Sequence, residues 1–171
     1  MSPLLGQRQG AVKSISIGIG IASGKALVGN LGLESRFDYS CIGDTVNVAS
    51  RIEGSCRAVG YDILVTETTA AAAADLALLP AGAVELKGMT GREPIQILVG
   101  DSNLRQSAAF AALLSAHHEL MATLKTGADP ARALDACRRA ALAVDSRLGA
   151  FYSACLERRD DFKLSDAVSD A

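Results

Sequence analysis

Apolar and small polar positions alternate strictly from residue 14 to 22, in "SISIGIGIA". Ile15, Ile17, Ile19 and Ile21 fall on one side, with Ser16, Gly18 and Gly20 on the other. That period of two predicts a half-buried β-strand. Glycines inside a strand mark the close approach of another backbone or of a ligand. "SGK" at 23–25 reads as a turn and "ALVGNLG" as a second strand, so the pattern predicts a β-hairpin. "FDYSCIG" is a short extended segment. Asp44 suits the cap of a helix that Thr45 opens and that Gly60 stops after Val59. "DILVTE" is a third strand and "TETTAAAAADL" a short helix. "AVELKGM" and "EPIQILVG" form a closing hairpin over Thr90 and Gly91. The order β-β-α-β-α-β-β predicts an α+β fold, with helices layered on a mostly antiparallel sheet.

The period lengthens after Asp101. Phe110, Leu113, Leu114, His117, Leu120, Met121 and Leu124 recur at i, i+3, i+4 and i+7, which predicts an amphipathic helix. "TGADP" ends it, and Pro130 suits the first turn of the next helix. Leu134, Cys137, Ala141 and Val144 stripe a second helix; Leu148, Phe151, Tyr152 and Cys155 stripe a third. Residues 1–13 read as a lead-in, 14–100 as the α+β unit, and 101–171 as a helical appendage with a frayed tail. No second copy at a fixed period supports a helical repeat. His117 lies on the apolar stripe and is read as a packed core histidine. His118 points about 100° away, so the two do not share a metal.

Composition narrows the function classes. The 171 residues are 49% hydrophobic with a formal net charge of −2. No basic excess argues for nucleic acid, and no polybasic run for a lipid surface. Cys41, Cys56, Cys137 and Cys155 form no C-x-x-C pair, which disfavours zinc and suggests reduced thiols at apolar positions. The apolar run 70–84 is interrupted by Asp75 and Pro80 and is too short to span a bilayer. No secretory h-region opens the chain, and the expected location is cytoplasmic.

Asn47 and Arg51 lie one turn apart on the helix that Thr45 opens. At 100° per residue, Val46, Ala49, Ile52, Cys56 and Val59 share one arc, read as the core stripe. Asn47 and Arg51 lie about 40° apart, away from that arc. They suit a solvated face. They also suit a donor clamp for a phosphate or a developing oxyanion, close to the positive end of the helix. Spacing alone leaves both readings open.

The stretch "SIGIGIASGKALVGNLGLESRFDYSCIGDTVNVASRIE" resembles the C-terminal half of class III nucleotidyl cyclase domains, the adenylate and guanylate cyclases. That family typically reads G-I-G-I-H-T-G, then G-N-I-G, then R-x-D-Y-T-x-I-G-D-x-V-N-x-A-S-R-L-E. The likeness runs from about residue 14 to 100, with "VELKGMTGREPIQIL" as the closing hairpin, and is most specific from Arg36 to Glu53. Residues 101–171 more loosely resemble the helical tail of some multidomain bacterial cyclases. The resemblance implies a partial cyclase fold, ferredoxin-like and palm-related, carrying the helical appendage. It implies attack of a ribose 3′-hydroxyl on the α-phosphate of a nucleoside triphosphate, in a head-to-tail dimer with sites at the interface. Mg²⁺ or Mn²⁺ is the family's cofactor, held by two aspartates of one partner.

Carried onto this sequence, Asn47 orients the ribose and Arg51 stabilises charge at the α-phosphate. Ser40 takes the base-reading position. A serine hydroxyl both donates and accepts, and its likeness to threonine favours ATP over GTP. Lys87 lies near the family's triphosphate-contacting lysine, and equally suits a hairpin surface. Ala22 stands where the family usually has histidine. The metal-binding aspartates belong to motifs like F-x-D-I-x-G-F, and residues 1–13 contain no aspartate. The expectation is a truncated domain, inactive alone, with an unpaired strand edge. It would form a homodimer, or a heterodimer with a full cyclase protomer. The alternative is a non-catalytic, cyclase-derived interaction module.

Overall fold

A computed structural model describes residues 16–31, 38–85 and 91–163. A four-stranded sheet has the order β1 (Ile19–Ile21), β4 (Ile63–Thr66), β6 (Arg92–Gly100), β5 (Ala77–Glu85). β1 runs parallel to β4, and the other neighbours are antiparallel. Strands β2 (Leu27–Leu31) and β3 (Asp38–Ile42) form a separate antiparallel ribbon. Helix α1 (Asp44–Val59) connects β3 to β4, and α2 (Glu67–Ala72) connects β4 to β5. The predicted hairpin between the first two strands therefore does not form. β1 takes β4 as its partner and β2 turns to β3, so the α+β reading stands while the first pairing changes.

Gly20 explains the placement of β1. A Cβ on Gly20 would lie 2.1 Å from the Ala49 carbonyl oxygen and 2.6 Å from the Glu53 amide nitrogen. The backbone of α1 thus rests directly on the glycine side of the strand. The isoleucine side of this half-buried strand faces outward, with Ile17 65% exposed. The missing glycine side chains admit a helix that isoleucines would hold off.

Helix α1 ends as its sequence predicts. Gly60 adopts a left-handed conformation (φ 78°), and its N–H and that of Tyr61 both bond the Cys56 carbonyl. The alanine-rich helix is shorter than predicted. It stops at Ala72, and Ala77–Ala81 joins β5 with alternating burial. Residues 73–76, the end of the predicted helix, form turns instead, and β5 begins at Ala77 rather than at the predicted Ala83, with Leu79 paired to Ile97.

Past Asp101 come α3 (Ser102–Arg105), α4 (Ala108–Thr126), α5 (Ala131–Ala141), α6 (Leu148–Glu157) and α7 (Asp160–Lys163). Ser107 caps α4 by accepting the Phe110 N–H, and left-handed Gly127 ends it. Residues on both sides of Asp101 share one buried cluster, in which Ile52, Leu64 and Ile97 meet Phe110, Leu120 and Phe151. His117 is fully buried, as its stripe predicts. Its Nε2 donates to the Pro80 carbonyl at 2.9 Å, and its Nδ1 accepts from the Tyr152 hydroxyl at 3.3 Å. That pairing requires a neutral ring protonated on Nε2. A second junction joins Tyr61 Oη to Asp145 (2.8 Å) and Arg147 to Asp62 (2.9 Å).

The two sheet margins differ. On β5, the carbonyls of Pro80, Ala81 and Ala83 accept from His117, Arg158 and Arg92. Arg92 and Arg158 also hold Asp161 of α7. On the other margin, β1 pairs with β4 alone among the described residues. Ile17, Ile19, Ile21, Leu27, Val28 and Ile42 are exposed on that strand and the ribbon.

Two outcomes test this packing. Gly20→Ala should cost about 3 kcal/mol by forcing α1 off β1, read as a shift in the urea midpoint. Burial pulls the His117 pKa from 6.5 down to about 4, partly opposed by the Pro80 carbonyl. Between those values the unfolded chain takes up a proton that the folded chain refuses. Stability is therefore fully present above pH 6.5 and falls as pH drops toward 4, by about 3 kcal/mol in all. Urea titrations from pH 8 to pH 4 should show that slope, and His117→Gln should flatten it.

Candidate functional site

The first turns of α1 carry the candidate site. Gly43 precedes the helix with φ 151° and offers no side-chain cap; its carbonyl accepts from Val46 N–H (3.1 Å) and Asn47 N–H (3.2 Å). Asp44, the predicted cap, instead lies in the first turn, where its charge faces the positive end of the helix.

The buried stripe of α1 is Val48, Ile52, Cys56 and Val59. Val48 replaces Val46 and Ala49, which are only half-buried. The contact with Gly20 sets this rotation, since it brings the backbone at Ala49 against β1. Asn47 stays exposed and Arg51 becomes half-buried on the flank of the stripe. A Cβ on Gly54, one turn beyond Ser50 on the same side, would meet nothing within 4 Å. The face is open beside the pair.

Arg51 is where the geometry adds most. Its Nη1 is buried and has no hydrogen-bond partner among the described residues. Arg92 and Arg158 also each leave one buried nitrogen unpaired, but both engage Asp161 through other nitrogens. A buried guanidinium nitrogen without an acceptor costs free energy, and an arriving anion removes that cost. Sequence spacing could not reveal this, because 40° on a helical wheel does not distinguish a solvated flank from a covered one.

Ser40 lies in the middle of β3, opposite Gly29 of β2, and is exposed. β3 leads straight through Gly43 into α1, so Ser40 and Asn47 sit on consecutive elements. Lys87 lies outside the described residues. Thr45 donates to the Lys25 carbonyl at 3.2 Å, a tie that the sequence reading did not identify.

Beside the start of α1 is a concavity of about 200 Å³ lined by Ser23, Asp44, Thr45, Thr66, Thr68 and Glu93. Burial, and then the charge of Glu67, raises the Glu93 carboxyl above its ordinary range. A larger concavity of about 610 Å³ lies at the β1 margin, between Ser16, Glu53, Arg57 and Tyr61, and includes neither Asn47 nor Arg51. Among the described residues, no three of His, Cys, Asp or Glu converge to hold a metal. Cys56, Cys137 and Cys155 are buried free thiols and Cys41 is an exposed one. No helix among the described residues is long and apolar enough to cross a membrane.

Comparison with known proteins identifies the family. The family described as "Adenylate and Guanylate cyclase catalytic domain" matches residues 5–99, more than half of the chain. An adenylate cyclase of Anabaena cylindrica is 54% identical over 54 residues, covering 32% of this chain and 11% of that protein. Adenylate cyclase 1 of Rhizobium meliloti is 35% identical over 95 residues, covering 55% of this chain and 14% of that protein. A solved bacterial light-regulated adenylyl cyclase is 28% identical, with TM-score 0.43, covering 47% of this chain and 23% of that one. The chain thus spans a small fraction of the length of its relatives. The match contains the α1 face with Asn47 and Arg51, and the chain belongs to the adenylate and guanylate cyclase catalytic domain family.

Proposed function

We propose that this chain supplies the ribose- and phosphate-contacting wall of a nucleotidyl cyclase site, acting on ATP in preference to GTP. The reaction converts a nucleoside triphosphate to its cyclic 3′,5′-monophosphate and pyrophosphate. The 3′-oxygen bonds the α-phosphorus as the bond to the β-phosphate's bridging oxygen breaks. Asn47 holds the ribose through its amide. Arg51 turns its guanidinium to the α-phosphate, where negative charge grows. Ser40 meets the base edge, and Lys87 approaches the triphosphate. The observation that carries this reading is the buried, unpartnered Nη1 of Arg51, one turn from Asn47 on an open face.

The catalytic divalent metal is assigned to a partner, because the described residues assemble no ligand set for it. The working unit is then a dimer with a full cyclase protomer, or another assembly that brings the metal-binding aspartates. A second reading, a non-catalytic interaction module, draws on the exposed Ile17, Leu27, Val28, Tyr39 and Ile42. Apolar surface of this kind marks a contact with another chain. The two readings differ in whether the α1 face touches a nucleotide.

The purified chain alone should form no cyclic AMP from ATP and Mn²⁺. Mixed with a full-length cyclase protomer whose equivalent arginine is alanine, it should restore synthesis. Asn47→Ala or Arg51→Ala should reduce that rescue by about 10²–10³. Rescue that survives both substitutions favours the interaction module. Stability should move the other way. Arg51→Met removes an unpaired buried donor and should raise the unfolding free energy by about 1 kcal/mol in urea titration. A loss of stability would mean that Arg51 is structural.

A further inference from the structure

We infer that Thr45 is a positioning residue for Asn47, holding the first turn of α1 through the turn that follows β1. The inference rests on the reading of Asn47 and Arg51 as nucleotide contacts.

Asn47 is the fourth residue of α1, and its N–H is held only by the Gly43 carbonyl at 3.2 Å. No side chain caps this helix. An uncapped N-terminus frays from its first turn, which is where Asn47 sits. Another feature must keep the turn in register.

The turn after β1 supplies it. Thr45 Oγ1 donates to the Lys25 carbonyl at 3.2 Å. A Cβ on Gly24 would lie 2.3 Å from Thr45 Oγ1, so only glycine leaves room for the hydroxyl. Gly43 lies close to the same carbonyl: a Cβ there would lie 3.1 Å from the Lys25 oxygen. The two turns interlock around one oxygen atom.

The turn that carries this oxygen is itself anchored. Ser23, two residues earlier, accepts from Thr69 Oγ1 at 3.0 Å. Thr69 pairs with Thr66 Oγ1 at 2.9 Å, at the cap of α2. Hydroxyl contacts from the end of β4 thus hold Ser23, and the backbone of the turn carries that anchor on to Lys25 and α1. Thr45 points about 160° around the helix from Asn47. It does not share the open face with Asn47, and acts on it through the backbone.

Thr45→Val keeps the shape and removes the donor, while Thr45→Ser keeps the donor. In the full chain, Thr45→Val should speed amide hydrogen exchange at Val46 and Asn47 about tenfold and leave Ile52 and Cys56 unchanged. Thr45→Ser should exchange like the wild type. In the rescue assay, Thr45→Val should lower kcat about tenfold with KM within about twofold, and Thr45→Ser should restore it. Unchanged exchange in Thr45→Val overturns the inference, as does an equal loss of kcat in Thr45→Ser. If the wild-type chain gives no rescue, the nucleotide reading falls, and the exchange measurement alone decides whether Thr45 holds the turn.

Discussion

The contact of α1 with the glycine side of β1 governs the rest of the structure. Gly20 lets the Ala49 carbonyl and the Glu53 amide approach to distances that no side chain permits. This close approach fixes how α1 is rotated about its axis. Rotation places Val48 in the core, leaves Asn47 in the open, and carries Arg51 to a flank where one nitrogen is covered. The same contact sends the isoleucines of β1 to the outside. A candidate site and a candidate contact surface thus follow from one steric requirement.

The buried polar groups fall into two kinds. His117 has both ring nitrogens satisfied, and it joins α4 to β5 and α6. A saturated network of this type rigidifies a core. Arg51 is the opposite case, with a covered donor and no acceptor. Natural structures leave few such groups, and each calls for an explanation. Under the proposed function, an anion that arrives with the substrate supplies the acceptor, at a modest cost in stability.

The sheet margins show a similar contrast. β5 turns its irregular stretch around Gly82 toward His117 of α4, Arg158 just past α6 and Arg92 of β6, which donate to its stray carbonyls. Capped in this way, an edge strand resists pairing with other chains. β1 has apolar neighbours and no charged residue within Ile19–Ile21. The helices past Asp101 secure the β5 side of the molecule, and α6 also touches α1. They do not cover the β1 face.

The longer helices with their ends, the closing hairpin and the family were legible in the sequence alone. Gly60 and Gly127 ended helices where a left-handed residue was needed, and the apolar stripes marked buried faces. The Asp44 start and the Gly60 stop put Asn47 and Arg51 on one helix. Tertiary structure decided what local pattern could not. Alternation in 14–22 identifies two sides of a strand but not which one receives a helix; the absence of side chains on Gly20 settled that. The alanine-rich helix stopped at Ala72, and pairing with β6 started β5 at Ala77, ahead of the strand that the sequence pattern marks from Ala83. β1 chose β4 over β2 because pairing is set by the whole sheet, not by the nearest turn. The unpaired nitrogen of Arg51 and the grip of Thr45 on Lys25 depend on atoms brought together from distant positions, which no spacing along a chain encodes.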